Sequence, residues 1–143
     1  MDELALRDRV RNHTPVTVNE RIDQAAERAI AQTSSGGREA IRARLAKLGR
    51  EWDVDRAVIL AFPIAGGASL LAGLRRGRVR ANRWLVLFGV QLGFLAWHAL
   101  VGWCPPAAAF RRLGFRTRDE IAAERQRLER QLGARAAMSA PSA

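Results

Sequence analysis

Cysteine is almost absent: Cys104 is the only one, and the histidines number two, His13 and His98. A single cysteine excludes an internal disulfide framework and a zinc site built from thiolates. With the two histidines far apart as well, no metal ligands, no cofactor and no catalytic residues are expected. Lysine is nearly missing too, since Lys47 stands alone among many arginines. That composition fits GC-rich coding, so arginine as such says little about function. The start, Met1-Asp2-Glu3-Leu4, opens on acids and offers no apolar stretch, which predicts no cleavable signal peptide. Insertion into a membrane would have to use internal segments.

Acids are the minority charge, 14 against 24 basic residues, for a formal net charge of +10. Such a balance favours anionic partners, either nucleic acid or acidic phospholipid head groups. Charge itself is missing from two long stretches, Ala57 to Leu74 and Trp84 to Phe110. Hydrophobic residues make up 48% of the chain, an ordinary share, so their concentration in these two places carries the information.

The second stretch is the stronger. Trp84 to Trp103 contains no formally charged residue, and twenty helical residues span roughly 30 Å, the thickness of a bilayer's hydrocarbon core. Trp84 and Trp103 mark its ends, where amphipathic rings prefer the head-group level. The first stretch, about 27 Å if helical, holds Pro63, Gly66, Gly67 and Gly73. In water these weaken a helix, whereas in a bilayer small residues let helices approach closely. Ala61, Ala65, Ser69 and Gly73 recur every four residues and predict one packing stripe, with Gly89 and Gly93 facing it. The expected fold class is therefore all-α, a two-helix transmembrane hairpin flanked by amphipathic helices. The competing reading is a soluble helical bundle whose central hairpin is its core.

Four regions follow. Residues 1–52 form an amphipathic helical arm and 53–104 the hairpin, with helices at about 55–74 and 83–103. Residues 105–132 form a juxtamembrane helical segment, and 133–143, rich in Ala, Ser and Pro, a disordered tail. In the arm, Thr17 and Glu20 have the form of a capping box opening a helix from about Val18 to Gln32, broken by Thr33-Ser34-Ser35-Gly36-Gly37. Ile41, Leu45, Leu48 and Trp52 then share a narrow arc bordered by cations. That arc fits a helix lying in the membrane interface or one packing on a neighbour. Beyond the hairpin, Pro105-Pro106 ends one helix and begins a short one that Gly114 closes. Thr117 and Glu120 make a second box, opening a helix with a sparse stripe of Ile121, Leu128 and Leu132.

For topology, the loop 75–83 carries five arginines, against nine cations on the near flanks outside the hairpin. The larger number places both termini in the cytoplasm under the positive-inside rule.

The succession from the Gly-rich segment through Gly102-Trp103-Cys104-Pro105-Pro106 to Arg111-Arg112-Leu113-Gly114 resembles the YgaP-like inner-membrane transmembrane domain family, whose function is unknown. The resemblance covers about Trp52 to Glu124, and its most specific part is Gly102 to Pro106. It implies a bacterial inner-membrane location, a multi-pass hairpin with cytoplasmic termini, and association with sulfur-handling membrane proteins. The family's best-studied architecture adds a rhodanese, but no segment of that size exists here, so sulfur transfer does not carry over.

Three residues could carry chemistry or polarity in the apolar region. Cys104 is the candidate functional thiol. It could cap the helix from Pro105, whose dipole lowers a thiol's pKa, but it also ends the preceding helix, which opposes that shift. Gln91 and His98, seven apart on one face, are candidate polar membrane positions that need partners across the hairpin, with Ser69 the nearest. The functional expectation is a non-enzymatic anchor, scaffold or homo-oligomeric component in contact with the bilayer and its anionic lipids. One alternative is a membrane-embedded sulfur or redox accessory acting through Cys104. A soluble basic nucleic-acid binder is the last, disfavoured because acids interleave with the arginines and the aromatics sit in apolar segments.

Overall fold

A computed structural model describes residues 8–75 and 82–138. Arg76, Arg78 and Arg80 of the basic loop, and the last five residues of the expected tail, lie outside the described residues. Within them the chain is all-α, with seven helices: α1 (Arg9–Asn12), α2 (Val16–Ser35), α3 (Gly37–Leu48), α4 (Val54–Arg75), α5 (Arg83–Val101), α6 (Pro105–Arg112) and α7 (Arg118–Met138). Helices α4 and α5 form the hairpin, α6 lies against α4, and α2, α3 and α7 pack together as a flanking bundle.

Of the arc Ile41, Leu45, Leu48 and Trp52, the first three face the bundle, while Trp52 is exposed. Ile41, Leu48 and Leu128 are buried together, with Ile30, Leu45, Ile121 and Leu132 against them. The sparse stripes of α3 and α7 therefore complete each other rather than lying on a membrane surface.

Two boundaries differ from expectation for one reason. The helix expected to break at Thr33 runs on through Ser35, and the tail expected to be disordered from Gly133 is helical to Met138. Ser34 Oγ donates to Gln131 Oε1 at 2.7 Å, and an Arg135 guanidinium N–H donates to the Ser34 carbonyl at 2.6 Å. Each helix end supplies partners for the other, and those contacts override weak local propensity. The break falls at Gly36, and Gly37 takes the left-handed φ of 82° that starts α3.

The first expected capping box does not form. The cap position of α2 is Pro15, with no side-chain cap, so Thr17 already lies within the helix. The second does form: Thr117 N–H donates to Glu120 Oε2 at 2.9 Å and Glu120 N–H to Thr117 Oγ1 at 3.3 Å. Asp53 starts α4 by accepting from the Arg56 N–H at 2.8 Å, while Val54 N–H donates to the Arg116 carbonyl at 2.9 Å. That last bond ties the foot of the hairpin to the start of α7.

The hairpin packs through a different seam from the expected one. Ser69 and Gly73 are buried as expected, but Ala61 is only half-buried and Ala65 is exposed, while Gly66 lies in the interface. A four-residue step overshoots one helical turn by about 40°, so the stripe from Ala61 to Gly73 drifts by about 120° and leaves the seam. On α5, Gly89 and Gly93 face outward, with nothing within 4 Å of an added Cβ. Leu85 and Phe88 fill the notches instead, against Gly73 and Gly66. At the far end, buried Asn82 caps α5 by accepting from Trp84 N–H at 3.1 Å and donates to the Gly73 carbonyl at 2.8 Å.

A glycine series checks this seam. An added Cβ on Gly73 would lie 2.5 Å from Leu85 Cδ2, so Gly73→Val is expected to lower the stability of the hairpin in micelles by about 1–3 kcal/mol. Gly89→Val and Gly93→Val are expected to leave it unchanged, as read by thermal unfolding under circular dichroism.

Candidate functional site

The residues singled out in the sequence meet at the foot of the hairpin. Helix α5 ends at Gly102, whose φ of 78° is the left-handed conformation that glycine adopts without strain. The helix thus stops before the prolines, not because of them. The chain then extends through Trp103, which stacks on His13 with ring centroids 4.3 Å apart. Pro105 and Pro106 open α6, with Cys104 at its cap position. Arg9 closes the joint by donating to the Val101 carbonyl at 3.2 Å.

Cys104 is buried among Val10, Val54, Val58 and Ala107, with Trp103, Phe110 and Phe115 packed around that cluster. Burial pushes its thiol pKa up, against a smaller opposing contribution from the Ala107 N–H. A thiol protonated and enclosed in this way has neither of the properties that make a cysteine nucleophilic. Alkylation by a soluble maleimide at pH 7.5 is expected to be negligible in the folded protein and complete after denaturation, read as a mass shift. Rapid labelling of the native chain would show that this apolar cluster opens.

Neither polar position on α5 pairs with Ser69, the partner expected. Ser69 Oγ turns back to its own helix and donates to the Gly66 carbonyl at 2.9 Å. His98 Nε2 lies 3.4 Å from Asp55 Oδ1, a bridge across the base of the hairpin. The Gln91 side chain lies over Gly66, with Oε1 buried and without a donor among the described residues. Gln91 and Cys104 share the wall of an apolar cavity of about 180 Å³, bounded elsewhere by Ala61, Phe62, Phe94 and Phe110. Among the described residues no group of three or more His, Cys, Asp or Glu side chains is arranged to hold a metal ion.

The densest polar structure was not visible from the sequence. Arg111, on α6, is fully buried and grips Glu120 with two hydrogen bonds of 2.6 and 2.8 Å. It also donates to Asn19 Oδ1 at 2.6 Å and to the Phe115 carbonyl at 3.1 Å. Arg11 adds a 2.6 Å bond to Glu120 and a bidentate pair with Asp23. Next to it, buried Glu124 pairs with Arg116 at 2.6 Å and with Arg44 at 2.7 Å. The one available signal was Glu124 itself, an acid three residues from Ile121 and four from Leu128, inside an otherwise apolar stripe.

These contacts set the charge states. Burial alone would raise the Glu120 pKa, yet Arg111, the Thr117 N–H and Arg11 together hold it below the ordinary glutamate value. Arg11 likewise holds Asp23 below the usual aspartate range. Because both folded-state values are depressed, their stabilisation is fully present above the unfolded values of about 4 and is lost as pH falls through the folded ones. The bundle is therefore expected to keep its melting temperature from pH 7 down to about pH 5 and to lose it steeply below about pH 4. Circular dichroism melts across that range check the sign.

Comparison with known proteins finds no match: no family model, no curated protein and no solved structure corresponds to this chain.

Proposed function

We propose that this chain is a small integral membrane protein that anchors a compact, ion-paired helical bundle at the bilayer surface, acting as a scaffold or assembly component rather than an enzyme. The observation that carries the reading is the exposure of α5. It is long and apolar enough to cross a membrane, yet none of its residues is buried. The core helix of a soluble bundle would be covered by the rest of the chain. Helix α4 is similar outside its seam, with Ile59, Ile64 and Leu71 all exposed. Apolar faces of this extent are stable where the solvent is lipid.

The finer placement rests on sequence. The excess of cations on the flanks supports cytoplasmic termini, and the Gly102 to Pro106 element supports the YgaP-like relationship and with it an inner membrane. Burial of Cys104 weighs against the sulfur or redox alternative. The nucleic-acid alternative loses support because Arg11, Arg44, Arg111 and Arg116 are engaged by carboxylates within the fold.

Alkaline carbonate extraction of membranes from cells expressing the full chain tests the reading. The protein is expected to stay in the pellet. Release into the supernatant as a folded monomer overturns the proposal.

A further inference from the structure

A second feature of the bundle is a cleft of about 540 Å³ whose wall carries Arg21, Arg44, Lys47, Arg50 and Arg116 against the single acid Glu51. Arg44 and Arg116 are balanced by Glu124 and Glu51. The other three are exposed, and among the described residues no carboxylate lies within ion-pair distance of them. Arg21 donates to the Arg112 carbonyl at 2.9 Å. Three uncompensated cations thus surround a floor that includes Ile22, Ala25 and Ala26.

The cleft's position in the chain says what fills it. Glu51 and Gly114 on its wall are each one residue from a large exposed apolar side chain, Trp52 at 49% and Leu113 at 75% exposure. Trp52 is two residues before α4 begins at Val54. At the head-group level an exposed tryptophan and leucine beside clustered cations are favourable, with apolar groups toward the acyl boundary and cations at the phosphates. The volume falls within the range of about 300–1,000 Å³ typical of small-molecule sites, which suits one phospholipid head group and not a nucleic-acid duplex.

We propose that this cleft binds the phosphate of an anionic phospholipid, held by Arg21, Lys47 and Arg50, so that the bundle is fixed against the bilayer at one defined site. The inference rests on the membrane reading and goes further by naming the site and its ligand.

The test uses the full chain in zwitterionic micelles, with phosphatidylglycerol, phosphatidylcholine or inorganic phosphate added and retained ligand counted by native mass spectrometry. Phosphatidylglycerol is expected to be retained in preference to phosphatidylcholine. The triple variant R21Q/K47Q/R50Q is expected to lower that preference by about tenfold or more. A matched triple, R28Q/R42Q/R130Q, removes three exposed cations outside the cleft and is expected to keep it. Circular dichroism confirms that both variants fold, and the singles K47Q and R50Q are expected to show intermediate losses. Equal retention by the cleft variant and the wild type overturns the proposal, as does an equal loss in the two triples. Displacement of the lipid by inorganic phosphate also overturns it, in favour of a soluble phosphate ligand. Pelleting with phosphatidylcholine vesicles in carbonate, measured in parallel, separates failure of this site from failure of the membrane reading.

Discussion

Arg111→Ala is expected to unfold the junction between the hairpin and the bundle, the largest single-residue effect in the protein. Arg111 is fully buried and bonds Glu120, Asn19 and the Phe115 carbonyl. Deleting it leaves the mostly covered Glu120 carboxylate with Arg11 as its remaining cationic partner among the described residues, and leaves an amide and a carbonyl short of donors. Removing one member of a buried pair costs about 3–5 kcal/mol, because the charge left behind has lost its compensation. Against a total stability of about 5–15 kcal/mol for a domain, that is a large fraction. The expected readouts are a sharply lower thermal midpoint and loss of the near-ultraviolet signal of Trp103 stacked on His13. Adding Glu120→Gln to the variant is expected to recover part of the loss, since the stranded charge is then gone. A wild-type midpoint in Arg111→Ala would mean that the buried pair contributes nothing to the fold.

The second large effect concerns what surrounds α5. Leu92, near its middle, is 45% exposed. Substitution on a water-facing surface changes stability by roughly 0.5 kcal/mol or less, so Leu92→Arg would be harmless in a soluble bundle. Within a bilayer the same arginine costs about 2.5–3.5 kcal/mol on insertion scales. Leu92→Arg is therefore expected to deplete the full chain from the carbonate-resistant membrane fraction by about tenfold or more. Met138→Arg, at a more exposed position (79%) at the end of α7, is expected to leave that fraction unchanged. Wild-type membrane content in Leu92→Arg would place the helix in water.

The same physical distinction explains how much of the molecule could be read without coordinates. Features set within a few residues were legible. The second capping box forms where Thr117 and Glu120 stand, because both partners lie within one helical turn. Pro105 opens α6 for a similarly local reason, since proline's fixed φ suits the first turn. The stripe on α7 was visible, although its partner was not.

Misreadings arose where a distant contact decided the matter. A four-residue repeat predicts the packing stripe, whereas the real seam follows the helix's own twist and meets Leu85 and Phe88. The helix end at Ser35 and the helical residues beyond Gly133 depend on each other, across about a hundred residues of sequence. Arg111 and Arg116, counted as flanking charges, are interior groups of the bundle because Glu120 and Glu124 are brought to them.

The amino-acid sequence alone determined that this chain is helical, that two of its segments are apolar over a membrane's thickness, and where most of its helices begin. Composition and short-range spacing are sufficient for that, because hydrogen bonding within a helix and transfer to lipid are sums over neighbouring residues. Only the tertiary structure decided which faces meet, that Cys104 is enclosed, and which cations are neutralised and which remain free. Those outcomes depend on groups up to 109 residues apart, such as Arg11 and Glu120, and burial turns such meetings from weak solvated contacts into the strongest constraints in the fold.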